Sequence, residues 1–251
     1  MKACVVIPVY NSENLIAGVI MSVLQYTDHV LVVNDGSTDG TFEALSVFRE
    51  QAQRKLDKGK LEVVSYTRNR GKGYALRQGF KQALELGYTH AVTMDADGQH
   101  LASDLETMTQ AAENNPDALI VGVRKFDDPN MPKGNRFANK FSNFWFMAQT
   151  GRRLPDTQTG FRVYPLHKMG KMRLVTNRFE AELELLVRSA WRGIPLVTQQ
   201  INVYYPPVDK RISHFRAGKD FFRISLLNTV LCLAAIVYGY LSMFLRKIFK
   251  L

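Results

Sequence analysis

Thr89–His100 reads T-H-A-V-T-M-D-A-D-G-Q-H, and the fold turns on how this stretch is read. Ala91, Val92 and Met94 form a short apolar run with the length and bounding signals of a buried strand. It ends on two carboxylates, Asp95 and Asp97, with Gly98 giving the backbone room to turn. Side chains at i and i+2 of an extended segment point the same way. The pair can therefore offer two hard oxygen ligands at the strand's carboxyl end, where open α/β sheets place their ligands. Carboxylates that close repel unless a cation sits between them, and a divalent ion carrying a diphosphate is the natural guest. The plain alternative is a polar strand-to-helix turn, with Asp104 starting the next helix.

On either side the same unit repeats. Ala3–Val9 is a continuous apolar run, as expected of a parallel strand covered on both faces. Pro8 closes it, and Tyr10-Asn11-Ser12 leads into a helix with Leu15, Val19 and Val23 at helical spacing and Asn11 or Ser12 as cap. His29–Asn34 predicts a second strand, and the loop from Asp35 to Thr41 launches a helix carrying Phe42, Leu45 and Phe48. Lys60–Tyr66 is the third strand, followed by Thr67–Gly73 and a helix over Tyr74–Leu86. After the fourth strand a helix follows Ser103, and Ala118–Gly122 is the fifth strand. Such repetition predicts an α/β fold with a mostly parallel sheet and right-handed crossovers. Tyr10-Asn11, Asp35–Asp39, Arg68–Lys72 and Asp95–Asp97 then meet at one sheet edge, as a cleft suited to phosphate and metal. Gly71-Lys72-Gly73 lacks the GxxxxGK[ST] spacing of a P-loop. No G-x-G-x-x-G follows the first strand, which counts against a dinucleotide oxidoreductase.

The second half differs in character. Of the net charge of +10 on 251 residues, the part through Val123 holds 11 Lys+Arg against 15 Asp+Glu, and the rest 22 against 8. The cations are spread among hydrophobic segments without a nucleic-acid-binding motif, so membrane and phosphate are the expected partners and nucleic acid is not. A basic, aromatic stretch, Arg124–Arg153, contains a helix-like block at Phe137–Met147. Asp156–Arg162 reads as a loop with one buried-type aromatic and one fixed cation. Asn177–Arg192 is amphipathic; Glu180, Glu182 and Glu184 alternate and cannot share one helical face, so one or two at most point into a cleft. Leu196–Tyr204 predicts another strand, ended by Pro206-Pro207, and Arg211, His214, Arg216, Lys219 and Arg223 follow. Ile224–Leu245 carries no ionisable side chain of the Asp, Glu, Lys or Arg kind and is long enough to span a bilayer. Its flanks, Arg223 and Arg246-Lys247, are both basic, which leaves spanning, interfacial and re-entrant arrangements open. Two cysteines, Cys4 and Cys232, and no cleavable leader suggest a reducing compartment, with the chain in or facing the cytoplasm.

The motifs V-V-I-P-V-Y-N-S-E-N, V-V-N-D-G-S-T-D-G-T, N-R-G-K-G-Y-A-L and M-D-A-D-G-Q-H resemble the successive signatures of the family 2 glycosyltransferases with the GT-A fold. D-A-D-G-Q-H and the later T-G-F-R are similar to the dolichol-phosphate mannose synthase branch and its bacterial polyprenyl-phosphate relatives. The resemblance covers about Met1 to Phe215. It implies a Rossmann-like GT-A sheet flanked by helices, with a membrane-associated C-terminal helix. Residues 1–215 would be the catalytic domain, and 216–251 a basic juxtamembrane segment and hydrophobic helix.

The implied reaction is an inverting, metal-dependent transfer from a GDP- or UDP-sugar to a membrane lipid, first of all a polyprenyl phosphate. By resemblance Pro8, Tyr10 and Glu13 border the base, Asp35 and Asp39 contact base and ribose, and Gly71 and Lys72 lie near ribose and diphosphate. Asp95, Asp97 and Gln99 fall where the family holds Mg²⁺ or Mn²⁺. Arg136 and Arg162 fall where cations meet the donor diphosphate or the acceptor phosphate. Ser213 lies near a Ser-Lys/Arg motif that here reads Ser213-His214, so the charge would come from Arg211 or Arg216. A phosphate acceptor needs no general base; for a hydroxyl on a lipid or glycan, Glu180 or Glu182 in F-E-A-E is the implied base. The rivals are a nucleotidyltransferase, which lacks here its Gly-rich basic loop after strand one, and an inactive homologue serving as a membrane partner. The retained Asp95, Asp97, Arg162 and Glu182 count against decay.

Overall fold

The computed structural model describes residues 1–55, 60–126, 131, 133–170, 172, 174–206 and 217–249. Seven strands are present: β1 Ala3–Val9, β2 His29–Asp35, β3 Lys60–Tyr66, β4 His90–Thr93, β5 Leu119–Val123, β6 Arg162–Pro165 and β7 Leu196–Gln200. They form one sheet in the order β3-β2-β1-β4-β6-β5-β7. Only β6 is reversed, pairing antiparallel with β4 and β5; the other pairs are parallel.

Helices cover both faces, so the apolar runs of the strands are unbroken. On one face α1 Ile16–Val23, α2 Thr41–Lys55 and α4 Leu105–Asn114 pack on Val5, Ile7, Val32 and Val92. On the other, α3 Lys72–Glu85, α5 Lys133–Thr150, the single turn α6 Leu166–Met169 and α7 Glu180–Trp191 pack on Cys4, Val6, Val33 and Ala91. Successive residues of β1 thus serve opposite cores, the period-two alternation of a strand buried twice.

Three boundaries differ from expectation for local reasons. α1 starts at Ile16 because Asn11 and Ser12 are used elsewhere. The Asn11 side chain accepts from the Thr38 amide at 2.8 Å, and the Ser12 amide donates to Thr41 Oγ1 at 2.8 Å. Asp104 does not cap α4; its buried carboxylate accepts from the Asn202 amide at 2.6 Å and Asn202 Nδ2 at 3.0 Å. β7 is therefore shorter than Leu196–Tyr204, since the chain beyond Gln200 turns to meet Asp104 and His100.

The apolar C-terminal segment is part of a longer helix: α8 Ala217–Ala234, one wide π-turn at Ala235–Gly239, and α9 Tyr240–Phe249. Gly218–Phe249 is long and apolar enough to cross a membrane by length and composition. One side of it is docked: Leu227, Leu231 and Ala235 join the core cluster of α3 and α7. Gln149 Nε2 donates to Asn228 Oδ1 at 2.9 Å, and Ser242 Oγ donates to the Trp191 carbonyl at 3.2 Å. A Cβ at Gly239 would lie 2.5 Å from the Trp191 ring, so only glycine lets the widened turn close on the indole.

Candidate active site

The carboxyl ends of β1, β2 and β4 and the turn after β3 open on one cavity of about 660 Å³. Pro8, Tyr10, Asp35, Gly71, Lys72, Asp95, Asp97 and Gln99 line it together, as the strand-end reading requires.

Asp35 ends β2 and is buried, its carboxylate used to fold the neighbouring turn. Oδ1 accepts from the Arg70 amide at 2.8 Å, and Oδ2 from the Gly71 amide at 2.7 Å and Asn69 Nδ2 at 3.0 Å. Gly71 has φ +98°, and a Cβ there would lie 2.6 Å from the Asn177 carbonyl oxygen. No other residue fits both conditions. The tight turn launches α3 with Lys72 at its first residue, aimed inward. Lys72 Nζ sits 2.6 Å from Asp95 Oδ1 and 2.8 Å from Glu182 Oε2. Burial opposes the ammonium, but the two carboxylates outweigh it and push its pKa above the usual lysine range.

The two aspartates respond oppositely. Burial would raise the Asp95 carboxyl, yet Lys72, with His100 and Arg162 behind it, holds it below the usual range. Asp97 is pushed up, first by burial and then by the charge of Asp95. Residues 96 and 97 form a turn, so the pair reaches one cavity through that turn and not through strand alternation. Asp97 Oδ1 accepts from the Gln99 amide at 3.0 Å. Two crowded carboxylates, one already drawing in an ammonium, fit a divalent cation. Among the described residues no group of three or more His, Cys, Asp or Glu is placed to hold a metal. A hard ion bound by two carboxylates completes its shell with phosphate oxygens and water, so the donor set matches an ion that arrives with a phosphorylated ligand.

Several residues expected at the cleft lie elsewhere. Arg162 is wholly buried and does not line it. As the first residue of β6 its guanidinium donates to the Glu182 carbonyl at 2.7 Å, the Thr157 carbonyl at 3.0 Å and the Tyr164 hydroxyl at 3.2 Å. Glu182 lies under the floor against Lys72, and Glu180 is buried beside it in α7. Glu184 faces away, accepting from the amides of Val175 and Thr176 and from Arg188 Nε. The alternating acids thus diverge, and Glu182 is the one bonded to a cavity residue.

Glu13 and Asp39 brace the first two loops and do not line the cavity. Glu13 Oε2 accepts from the Gly40 amide at 2.7 Å. Asp39 accepts from Thr41 Oγ1 at 2.5 Å and from the Glu13 amide at 3.3 Å. Burial works against the Asp39 charge, but the Thr41 bonds hold its pKa below the usual range. Arg136 is on α5 and is not a lining residue. Arg211, Ser213 and Arg216 fall outside the described residues.

Five charged or aromatic lining residues were not singled out as site residues from sequence. Arg178 and Phe179 line the wall beside Gly71, and Lys219 and Arg223 of α8 line another with Asp220. The i, i+4 spacing of Lys219 and Arg223, on one helical face, was the available signal. Gly160 sits in the T-G-F-R run that carries the resemblance but is given no role of its own by it: a Cβ there would lie 2.7 Å from Asp95 Oδ2 and 3.0 Å from Lys72 Nζ.

Similarity to known proteins agrees with this geometry. A family profile described as glycosyl transferase family 2 matches residues 4–170. The UDP-N-acetylglucosamine–dolichyl-phosphate N-acetylglucosaminyltransferase of Methanococcus voltae is 30% identical over 238 residues, covering 89% of this chain and 94% of its own. The polyprenol monophosphomannose synthase of Mycolicibacterium smegmatis is 32% identical over 179 residues, 69% of this chain and 65% of its own. Among solved structures, glucosyl-3-phosphoglycerate synthase from Mycobacterium tuberculosis, in complex with Mn²⁺, UDP-glucose and phosphoglyceric acid, shares the fold. It gives a TM-score of 0.64 at 16% identity, covering 93% of this chain and 79% of that one.

Proposed function

The chain belongs to the family 2 glycosyltransferases, and from that membership we propose that it carries out metal-dependent, inverting transfer of a sugar from a nucleoside-diphosphate sugar to polyprenyl phosphate. The observation that carries this reading is the meeting of Asp95, Asp97 and Lys72 at the foot of a cavity whose walls hold Arg178, Lys219 and Arg223. Carboxylates for an ion and cations for phosphate converge, as a diphosphate donor and an anionic acceptor require.

Pro8, Tyr10, Asp35 and the Gly71 turn form the donor side, with Glu13 and Asp39 fixing the loops that frame it. Asp95 and Asp97, with Gln99, hold Mg²⁺ or Mn²⁺. When bound, that ion stabilises the charge on the departing diphosphate as a Lewis acid. Lys72 adds a fixed positive charge where that negative charge develops, which costs no reorganisation during the reaction. Arg162 and Glu182 act through Lys72: the guanidinium holds the Glu182 backbone, and the Glu182 carboxylate holds the ammonium. Lys219 and Arg223 serve the acceptor phosphate; by resemblance Arg136 meets the donor diphosphate or the acceptor phosphate, and Ser213, with Arg211 or Arg216, closes over the diphosphate. In this reading residues 1–215 are the catalytic unit and 216–251 keep it at the membrane, on the cytoplasmic side.

The two lipid-phosphate relatives support the acceptor class. So does the state of Glu182. Its carboxylate is engaged by the Lys72 ammonium at 2.8 Å and is not turned to the cavity, and a phosphate monoester, with a second pKa of about 6, needs no general base. A hydroxyl acceptor would instead depend on Glu180. The test is nucleotide release by purified protein with Mn²⁺, across a panel of UDP- and GDP-sugars, with and without polyprenyl phosphate. Release stimulated only by the lipid phosphate, and surviving Glu180→Gln, is the expected result. Stimulation by a lipid or glycan hydroxyl, abolished by Glu180→Gln in a folded protein, would replace it.

A further inference from the structure

The 32 residues Gly218–Phe249 form a helical run of about 48 Å, longer than the roughly 30 Å apolar core of a bilayer. Length alone would allow crossing. The docking does not, because the helix is held to the catalytic unit from Leu227 to Arg246. Asp220 and Arg223 line the cavity at one end. Leu227, Leu231 and Ala235 are buried in the middle. Gly239 closes on Trp191, and Arg246 lies against Gly193 at the far end. A helix crossing the bilayer in this packing would carry Arg152 and Arg192, and the carbonyls around Gly193, into hydrocarbon, where unsatisfied polar groups are costly.

The opposite side is a continuous apolar stripe. Phe222, Leu226, Leu233, Val237, Leu241 and Phe244 recur at intervals of three, four or seven, all exposed, Val237 to 77%. α5 extends it. Phe137 is 72% exposed, and Phe141 stacks on Phe221 with ring centroids 6.0 Å apart. Basic side chains stand at both ends, Lys219 and Arg223 at one and Arg246 and Lys247 at the other. A second copy would bring like charges to the same ends. An anionic lipid surface complements both the apolar stripe and the charges.

We infer that α5 and the α8–α9 helix form one in-plane docking face for an anionic bilayer, the helix lying along the surface and not crossing it. Lys219 and Arg223 belong to both the face and the cavity wall, so the cavity opens at headgroup level. The inference deepens the lipid-acceptor reading and rests on it only for the purpose of that opening.

Flotation of the full chain with sealed phosphatidylcholine vesicles, with and without phosphatidylglycerol and free of polyprenyl phosphate, tests the face directly. Binding should be at least about tenfold stronger with phosphatidylglycerol and weaken with salt, since several basic side chains act together. Leu233→Asp with Val237→Asp should abolish flotation at unchanged melting temperature. In a Cys232→Ser background, Gly218→Cys and Lys247→Cys should both react from outside with a membrane-impermeant maleimide. Protection of one end only would mean a spanning helix. Normal flotation of the stripe variant, or a stripe variant that instead changes molecular size, would overturn the docking face. Protein that floats as expected but fails to glycosylate polyprenyl phosphate would overturn the acceptor assignment alone.

Discussion

Gly160 shows how a residue with no functional group shapes the chemistry. Its carbonyl accepts from Thr93 Oγ1 at 2.6 Å, which locks the loop over the end of β4. Any Cβ would press on the Asp95 carboxylate and the Lys72 ammonium. Those are the ends of side chains, so they move before the backbone does. Gly160→Ala is therefore expected to lower turnover by roughly a hundredfold, the effect of a displacement near 1 Å. Stability should change by less than about 1 kcal/mol. Nucleotide-release kinetics beside a thermal melt check this, and loss of fold would make Gly160 a packing residue. Lys72 poses the complementary question. Removing its charge leaves the half-buried Asp95 and the buried Glu182 without their nearest counter-ion, so Lys72→Met should cost about 3 kcal/mol. If Asp95 is a metal ligand as proposed, added Mn²⁺ would take over its neutralisation in the variant. The melting temperature should therefore rise more on adding Mn²⁺ to Lys72→Met than to the wild type. Equal shifts in both would place the ion elsewhere.

At the level of elements, the loop ahead of α7 depends on one buried acid. Glu184 accepts from the Val175 and Thr176 amides at 3.0 Å each, from Thr176 Oγ1 at 2.6 Å and from Arg188 Nε at 2.6 Å. That fixes residues 174–179, whose Asn177 carbonyl meets the Tyr74 amide at 2.9 Å and whose Arg178 lines the cavity. Glu184→Gln weakens four charge-assisted bonds at once, and a loss of about 2–3 kcal/mol is expected. Donor KM should rise more than kcat falls, because Arg178 loses its position and the floor residues do not. A fall in kcat alone would detach Glu184 from donor binding. Such elements also mark where the sequence is legible. β1 to β5 are bounded by Pro, Gly and capping residues, and each ends in a polar loop, so the cleft follows from strand ends alone. β6 does not read as a strand: it is four residues, Arg162–Pro165, opening on a charge that only tertiary partners can satisfy. Arg162 accordingly read as a cleft cation, and the bonds that bury it come from Thr157, Tyr164 and Glu182. Arg178, and the steric role of Gly160 within T-G-F-R, were not legible because they arise where loops distant in sequence meet.

For the molecule as a whole, the C-terminal helix is the surface proposed for lipid and also a part of the core. Its composition advertises the first role, while the second appears only in packing. Leu231 sits at 2% exposure among the residues of α7, and Trp191, which touches Gly239, donates its indole N–H to the Gln149 carbonyl at 2.8 Å. Deleting the segment beyond Arg223 would therefore uncover Trp191 and Asn228's partner Gln149, and would confound anchoring with stability. Point changes separate the roles. Leu231→Ala opens a cavity in the shared core and should cost about 2–4 kcal/mol. Leu233→Ala, two residues on and 62% exposed, should cost less than about 0.5 kcal/mol. Measured in mild detergent by chemical unfolding, the pair should thus differ by more than about 1.5 kcal/mol. Donor binding at low denaturant should be retained in both, because the residues proposed for the nucleotide side belong to β1, β2 and the Gly71 turn. Equal and small effects would show that the helix only rests on the catalytic unit, and a packing free to detach would permit the helix to cross the bilayer after all.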